Sequence, residues 1–212
     1  MRQWAPMGMR TLATQERDEF ADLLSGLSNE QWNAPSLCGD WRVRDVAAHV
    51  IGYLDRSRAA FAFALVKHRF HVDRLNAADV KRYSVCRQEE IVDAMRDRAA
   101  PRGVGSGFGN RIALVESMIH QQDIRRALNR PRAIPAERLA AALQFTTAAP
   151  LIRGGWYTRG VRLVATDVEW ASGRGPEVRG LGEALLMTMA RRRGVLAELT
   201  GPGVRILSGR SR

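Results

Sequence analysis

Between Arg111 and Leu128 the chain reads RIALVESMIHQQDIRRAL, with apolar residues recurring at the spacings of three and four that mark one face of a helix. At about 100° per residue, Ile112, Val115, Ile119 and Ile124 fall on one arc, which has to face a core. Glu116 and His120, four residues apart, fall inside that arc, and Asp123 lies close beside them. Gln121, Gln122 and Arg125 fall mostly outside it. A carboxylate in an apolar core is costly unless it is neutralised, paired or bound to a cation. Such a helix therefore needs a bundle whose other members supply partners for its polar side chains.

The preceding sequence offers those members. ERDEFADLLSGL carries Phe20, Leu23, Leu24 and Leu27 at helical spacing. Asp40 is placed to cap WRVRDVAAHVIGYLDRSRAAFAFALVKHRF, which reads as one long bundle helix. RQEEIVDAMRDRAA is a third amphipathic helix, stopped by Pro101, and RGVGSGFGN is a loop by composition. Four helices with these connections make a four-helix bundle the economical architecture. After Pro135 the texture changes. AERLAAALQFTTAAPLI is a further helix, GVRLVATDVEW alternates as a half-buried strand does, SGRGP is a turn, EVRGLGEALLMTMARR includes a helix, and GVRILSG reads as a short terminal strand. The expected fold class is α+β, with a bundle over residues 1–133 and a small α/β domain over 134–212.

On the second helix, His49 shares a stripe with Val46, Val50 and Tyr53 and points inward. Two histidines and one glutamate, His49, Glu116 and His120, make a three-ligand set with a position left for water or substrate. Zinc suits it best, and nickel, iron or manganese would also fit such donors. The plainer alternative is a pair of hydrogen-bonded core histidines with Glu116 held by an arginine.

Composition narrows the function classes. The net charge is +11, but of 33 basic residues only Lys67 and Lys81 are lysines, and acids are interleaved throughout. The tightest cluster is Arg191, Arg192 and Arg193, and no basic stripe alternates with aromatics, so nucleic acid is not an expected partner. The surplus charge favours a small anionic ligand. No stretch reaches the roughly 20 apolar residues of a membrane span, and no signal-peptide pattern opens the chain, so a cytoplasmic location is expected. Cys38 and Cys86 match no zinc or redox spacing and are expected to be free thiols.

ERDEFADLLSGLSNEQWNAPSLCGDWRVRDVAAHV, followed by VESMIHQQDIRRALNRP, resembles the mycothiol-dependent maleylpyruvate isomerase family within the DinB-like superfamily. The residues that carry the resemblance are Trp32, Pro35, Cys38, Gly39, Trp41, Arg44, Asp45 and His49, then Glu116, His120, Asp123 and Arg125. The tail ATDVEWASGRGPEVRG…LTGPG resembles the small sterol-carrier-like domain of that family. The resemblance implies a DinB-like bundle holding a divalent metal on His49, Glu116 and His120. It also implies mycothiol as thiol cosubstrate, in isomerisation of, or S-transfer to, a small electrophile. A non-catalytic metal- and ligand-binding protein of the same fold is the alternative. Arg192 is the nearest match to a family arginine implicated in catalysis, although the usual glycine before it is Arg191 here. Arg42 stands where the family often has a capping threonine or serine.

Asp123 is expected to orient His120 or take a proton, with a salt bridge to Arg125 or Arg126 as the other reading. His68 and His71, with Asp73, imitate a metal motif but are expected to face solvent. Cys38 is expected to be a packed thiol rather than a nucleophile, and Tyr53 to pack rather than serve substrate. The chain is expected to act as a monomer or homodimer.

Overall fold

Four helices form a ring in the first part of the chain. α1 (Met9–Ser25) packs on α6 (Gln88–Asp97) and α7 (Arg111–Ala127), and α3 (Val43–Asp55) closes the ring against both α6 and α7. The computed structural model describes residues 7–69, 71–83, 85–149, 152, 154–192 and 194–210, with the backbone alone at Leu54, Asp55, Val72 and Asp73. The chain divides into two compact units, Met1–Arg130 and Pro131–Arg212. Arg193 of the arginine cluster and the side chain of Asp73 lie outside the described residues.

The first unit is the expected four-helix bundle. Phe20, Leu24, Val46, Ile51, Met95, Leu114 and Met118 form its fully buried centre, each contributing about 1.5–3 kcal/mol by leaving water. α2 (Asn29–Asn33) opens on a capping box: Ser28 Oγ accepts the Gln31 amide at 3.3 Å, and Gln31 Oε1 accepts the Ser28 amide at 3.1 Å.

The long second helix predicted from the sequence is two helices. α3 stops at Asp55, Arg56 is extended (φ −66°, ψ 132°), and Ser57 starts α4 (Arg58–Lys67) by accepting the Ala60 amide on Oγ at 3.1 Å. A serine two residues after a helix-compatible aspartate offered the backbone a competing local hydrogen bond. Asp40 is not the cap of α3. The N-cap is Arg42, which supplies no side-chain acceptor to the first turn; the Asp45 carboxylate instead accepts the Arg42 amide at 3.0 Å. The segment after α4 contains α5 (Val72–Tyr83), which packs on α3.

That packing is close. A Cβ on Gly52 would lie 3.1 Å from both Asp79 Cβ and Tyr83 Cε2. Beside it, Arg56 is ion-paired with Asp79, whose side chain is 2% exposed. Burial pushes the Asp79 carboxyl above its ordinary value, and Arg56, Arg82 and His68 oppose the shift.

In the second unit, α8 (Ala136–Ala148) packs against α10 (Gly182–Met189), and α10 covers a three-stranded sheet ordered β2-β1-β3. β1 (Arg162–Ala165) runs antiparallel to β2 (Ala171–Gly173) and parallel to β3 (Glu177–Gly180), with Leu163 opposite Ser172 and Val178. α9 (Gly154–Tyr157) lies against α8 and α10, and a single 3-10 turn (Val195–Glu198) follows α10. The terminal strand predicted over GVRILSG is instead a helix, α11 (Val204–Ser208). Four alternating residues fit either period, and burial of Leu207 on one helical face decided between them. No helix among the described residues is long and apolar enough to cross a membrane.

Asp79 has a folded-state pKa above its unfolded value, so its ionisation disfavours the folded state as pH rises, and Arg56 limits that loss. Arg56→Ala is expected to cost about 3 kcal/mol near neutral pH. The gap to wild type should shrink as pH falls into the ordinary carboxylate range. Urea titrations of both proteins across that range would show it.

Candidate metal centre

α7 is buried on almost every side. Ala113, Leu114, Val115 and every residue from Ser117 to Ile124 are buried. Gln121 and Gln122, expected outside the core arc, are 0% and 4% exposed. A helix surrounded by α1, α3 and the loop before α3 has no outer face along this stretch, so the wheel's polar side has to be satisfied inside. Gln121 Nε2 donates to Glu16 Oε1 at 3.1 Å and to the Glu16 carbonyl at 3.3 Å, while Gln121 Oε1 accepts from Arg125 Nε at 2.7 Å.

The i, i+4 spacing of Glu116 and His120 places both on one side of α7, and His120 Nε2 lies 3.4 Å from Glu116 Oε2. α3 delivers His49 to the same place. Its ring centroid is 4.9 Å from that of His120, edge to face, and one ligand atom each from His49, Glu116 and His120 lie within 4.8 Å of one another. Trp41 and Tyr53 flank His49 with ring centroids at 5.0 and 5.8 Å. Burial and the nearby Glu116 charge push the Tyr53 phenol up, so it remains a neutral hydroxyl.

The other nitrogen of His120, Nδ1, is 3.0 Å from Asp123 Oδ2. A carboxylate only accepts, so Nδ1 carries the proton and Nε2 faces His49 and Glu116. Burial lowers the His120 pKa, but hydrogen bonds with Asp123, Cys38 and Glu116 outweigh it and hold the value well above 6.5. In the absence of a cation, these contacts favour the protonated ring between the two carboxylates.

Cys38 was expected to be merely packed. The fold instead brings it to the same ring, where Cys38, His120 and Asp123 place one donor atom each within 4.8 Å of one another. Nothing in its sequence spacing signalled this, because the contact is made between a loop and a helix more than eighty residues away. Neither Cys38 nor Cys86 is in a disulfide. His68 is half-buried at the end of α4, His71 is exposed with Nδ1 2.9 Å from the Arg69 carbonyl, and neither joins a donor group among the described residues. Arg192 belongs to the second unit, where its guanidinium donates to the Ala190 carbonyl at 3.0 Å.

Residues 13–104 match the family model of the mycothiol maleylpyruvate isomerase N-terminal domain. The matched stretch is similar to that domain and covers less than half of the chain. It includes Cys38 and His49, whereas Glu116, His120 and Asp123 lie beyond its end and reach the site through the fold. Two solved structures are similar over 92% of this chain and 91% of theirs: the mycothiol-dependent maleylpyruvate isomerase (14% identity, TM-score 0.53) and a histidine-to-alanine variant of it (15%, 0.52). At that identity they show the fold, bundle and α/β unit alike. No curated protein matches the chain.

A histidine whose folded pKa is raised adds stability that is present below its unfolded pKa and is lost as pH rises through the folded value. Metal-free protein is therefore expected to lose stability as pH rises through and above the ordinary histidine range. Asp123→Asn should flatten that dependence. Chemical denaturation with a chelator present, repeated across the range, measures both.

Proposed function

We propose that this chain is a divalent-metal-dependent enzyme that activates a low-molecular-weight thiol, mycothiol, for isomerisation of, or S-transfer to, a small electrophile. The observation that carries the proposal is the convergence of His49, Glu116 and His120 from two helices onto one buried point. Two imidazoles and a carboxylate fit a borderline divalent cation, zinc first, and leave coordination positions open. The match of residues 13–104 to a mycothiol enzyme's domain supports the choice of thiol.

A bound metal would supply a Lewis acid that lowers the pKa of a coordinated thiol, making the nucleophilic thiolate available near neutral pH. The chain's own residues prepare for it. Asp123 holds the Nδ1 proton of His120, which fixes the ring and turns Nε2 toward His49 and Glu116. Trp41 and Tyr53 cover the sides of His49 and limit water there. Tyr53, neutral and buried, keeps a hydroxyl proton near Glu116. The excess of arginine favours an anionic electrophile or cosubstrate. Arg192 is proposed to act on the substrate, as the family resemblance implies.

Untagged protein is expected to carry about one divalent ion per chain, lost in His120→Ala, as read by elemental analysis. Protein with bound ion should consume mycothiol with a small unsaturated acid or other electrophile, and Arg192→Ala should lower turnover by roughly tenfold or more while metal content stays constant. Absence of metal after incubation with zinc, nickel, iron and manganese would overturn the proposal.

A further inference from the structure

The two nitrogens of His120 face different donor sets. Nε2 faces Glu116, while Nδ1 faces Asp123, and Cys38 belongs with the Asp123 side. Of the second trio, Asp123 is 0% and His120 6% exposed, and Cys38 is half-buried, so the thiol keeps a route to solvent.

Cys38 is also held in place. The Ser36 amide and hydroxyl both donate to the Trp41 carbonyl, at 2.9 and 2.8 Å, and Ser36 Oγ accepts the Cys38 amide at 3.0 Å. The Trp41 amide returns to the Cys38 carbonyl at 3.2 Å, closing a turn in which Gly39 takes the left-handed conformation (φ 59°). Pro35 and Arg42 pair across the base of the loop. One residue before the cysteine, the Leu37 amide donates to the Asp123 carbonyl at 3.2 Å. The loop is thus tied to the same turn of α7 that presents Asp123, and the thiol is pre-positioned against the ring.

We propose that Cys38, His120 through Nδ1, and Asp123 form a second, thiolate-containing metal seat for a soft cation such as Cd²⁺, distinct from the seat on His49, Glu116 and His120. Ligand softness separates the two: a sulfur, nitrogen and oxygen set favours thiophilic ions, and a two-imidazole, one-carboxylate set favours borderline ones. Binding releases the Cys38 thiol proton and the Nδ1 proton to water, and Asp123 exchanges its hydrogen bond for coordination. This seat does not depend on His49, so it stands or falls separately from the thiol-activation proposal. A thiophilic ion placed there displaces the proton by which Asp123 fixes His120, so it would disturb the neighbouring centre.

The test is a Cd²⁺ titration of reduced, chelator-treated full-length protein, followed by ultraviolet sulfur-to-cadmium absorption. Wild type, His49→Ala and Cys86→Ser are expected to develop the band and saturate at about one ion per chain. Cys38→Ser and Cys38→Ala should show none, with circular dichroism verifying that each is folded. Asp123→Asn should weaken Cd²⁺ binding by roughly tenfold. Cadmium NMR of the His49→Ala protein gives a second readout that needs no change at the cysteine, and a shift typical of mixed sulfur, nitrogen and oxygen ligation is expected. No band in wild type, or a band that survives in both Cys38 variants, overturns the seat. A band lost in His49→Ala also overturns it, since Cys38 would then be serving the other centre.

Discussion

His120 is gripped at both nitrogens, and the first unit is organised around that grip. An imidazole 6% exposed between Glu116 and Asp123 cannot be accommodated by apolar packing alone. Its proton, or a cation in the proton's place, has to balance buried negative charge. The rest of α7 follows the same rule. Gln121 satisfies both the side chain and the carbonyl of Glu16 and is itself held by Arg125. The polar residues that would make α7 a poor core helix in isolation are the ones that fix its rotation and register against α1.

The loop between α2 and α3 works by the same economy of partners. Between Pro35 and Arg42, the amides of Ser36, Leu37, Cys38 and Trp41 each find an acceptor within the loop or on α7. Gly39 allows the reversal, Ser36 serves as donor and acceptor, and Trp41 ends against the His49 ring. A short segment with no core of its own thereby becomes rigid, carrying Cys38 to α7 and closing one side of the candidate centre. Replacing Gly39 would strain the turn, and the effect would be transmitted to both His49 and Cys38.

Periodicity made the bundle legible. α1, α6 and α7 show their apolar stripes directly, and the inward positions of His49, Glu116 and His120 were readable from wheel geometry. What escaped was decided by competing local bonds or by contacts distant in sequence. Ser57 cut the second helix with one hydrogen bond, within the polar run Asp55 to Arg58 that separates the two apolar stretches. Asp45, at the third position of α3, accepts the Arg42 amide, while Arg42 itself offers no side-chain cap. Gln121 and Gln122 were misplaced because a wheel assumes that a helix has an outside. Cys38 was undervalued for a similar reason: a thiol between Leu37 and Gly39 gives no local sign of the imidazole it will meet. In the second unit, four residues at the end were too few for period to separate strand from helix.

The metal-free arrangement also explains why proton and metal should be alternatives at this centre. Three donors brought together with a carboxylate among them would repel or remain unsatisfied if all were unprotonated. The contacts of His120, Nδ1 toward Asp123 and Nε2 toward Glu116, meet that demand by favouring the protonated ring. On the proposed site, a cation at the Nε2 side would replace one proton and leave the other, and the Asp123 hydrogen bond would keep the ring aligned. Acid would then compete with metal at that nitrogen. The pre-folded site needs little rearrangement to accept an ion, and this is the sense in which the buried polar residues of α7 serve stability and chemistry together. The family match ends before Glu116, so two of the three candidate ligands, Glu116 and His120, lie outside it and meet His49 through the fold.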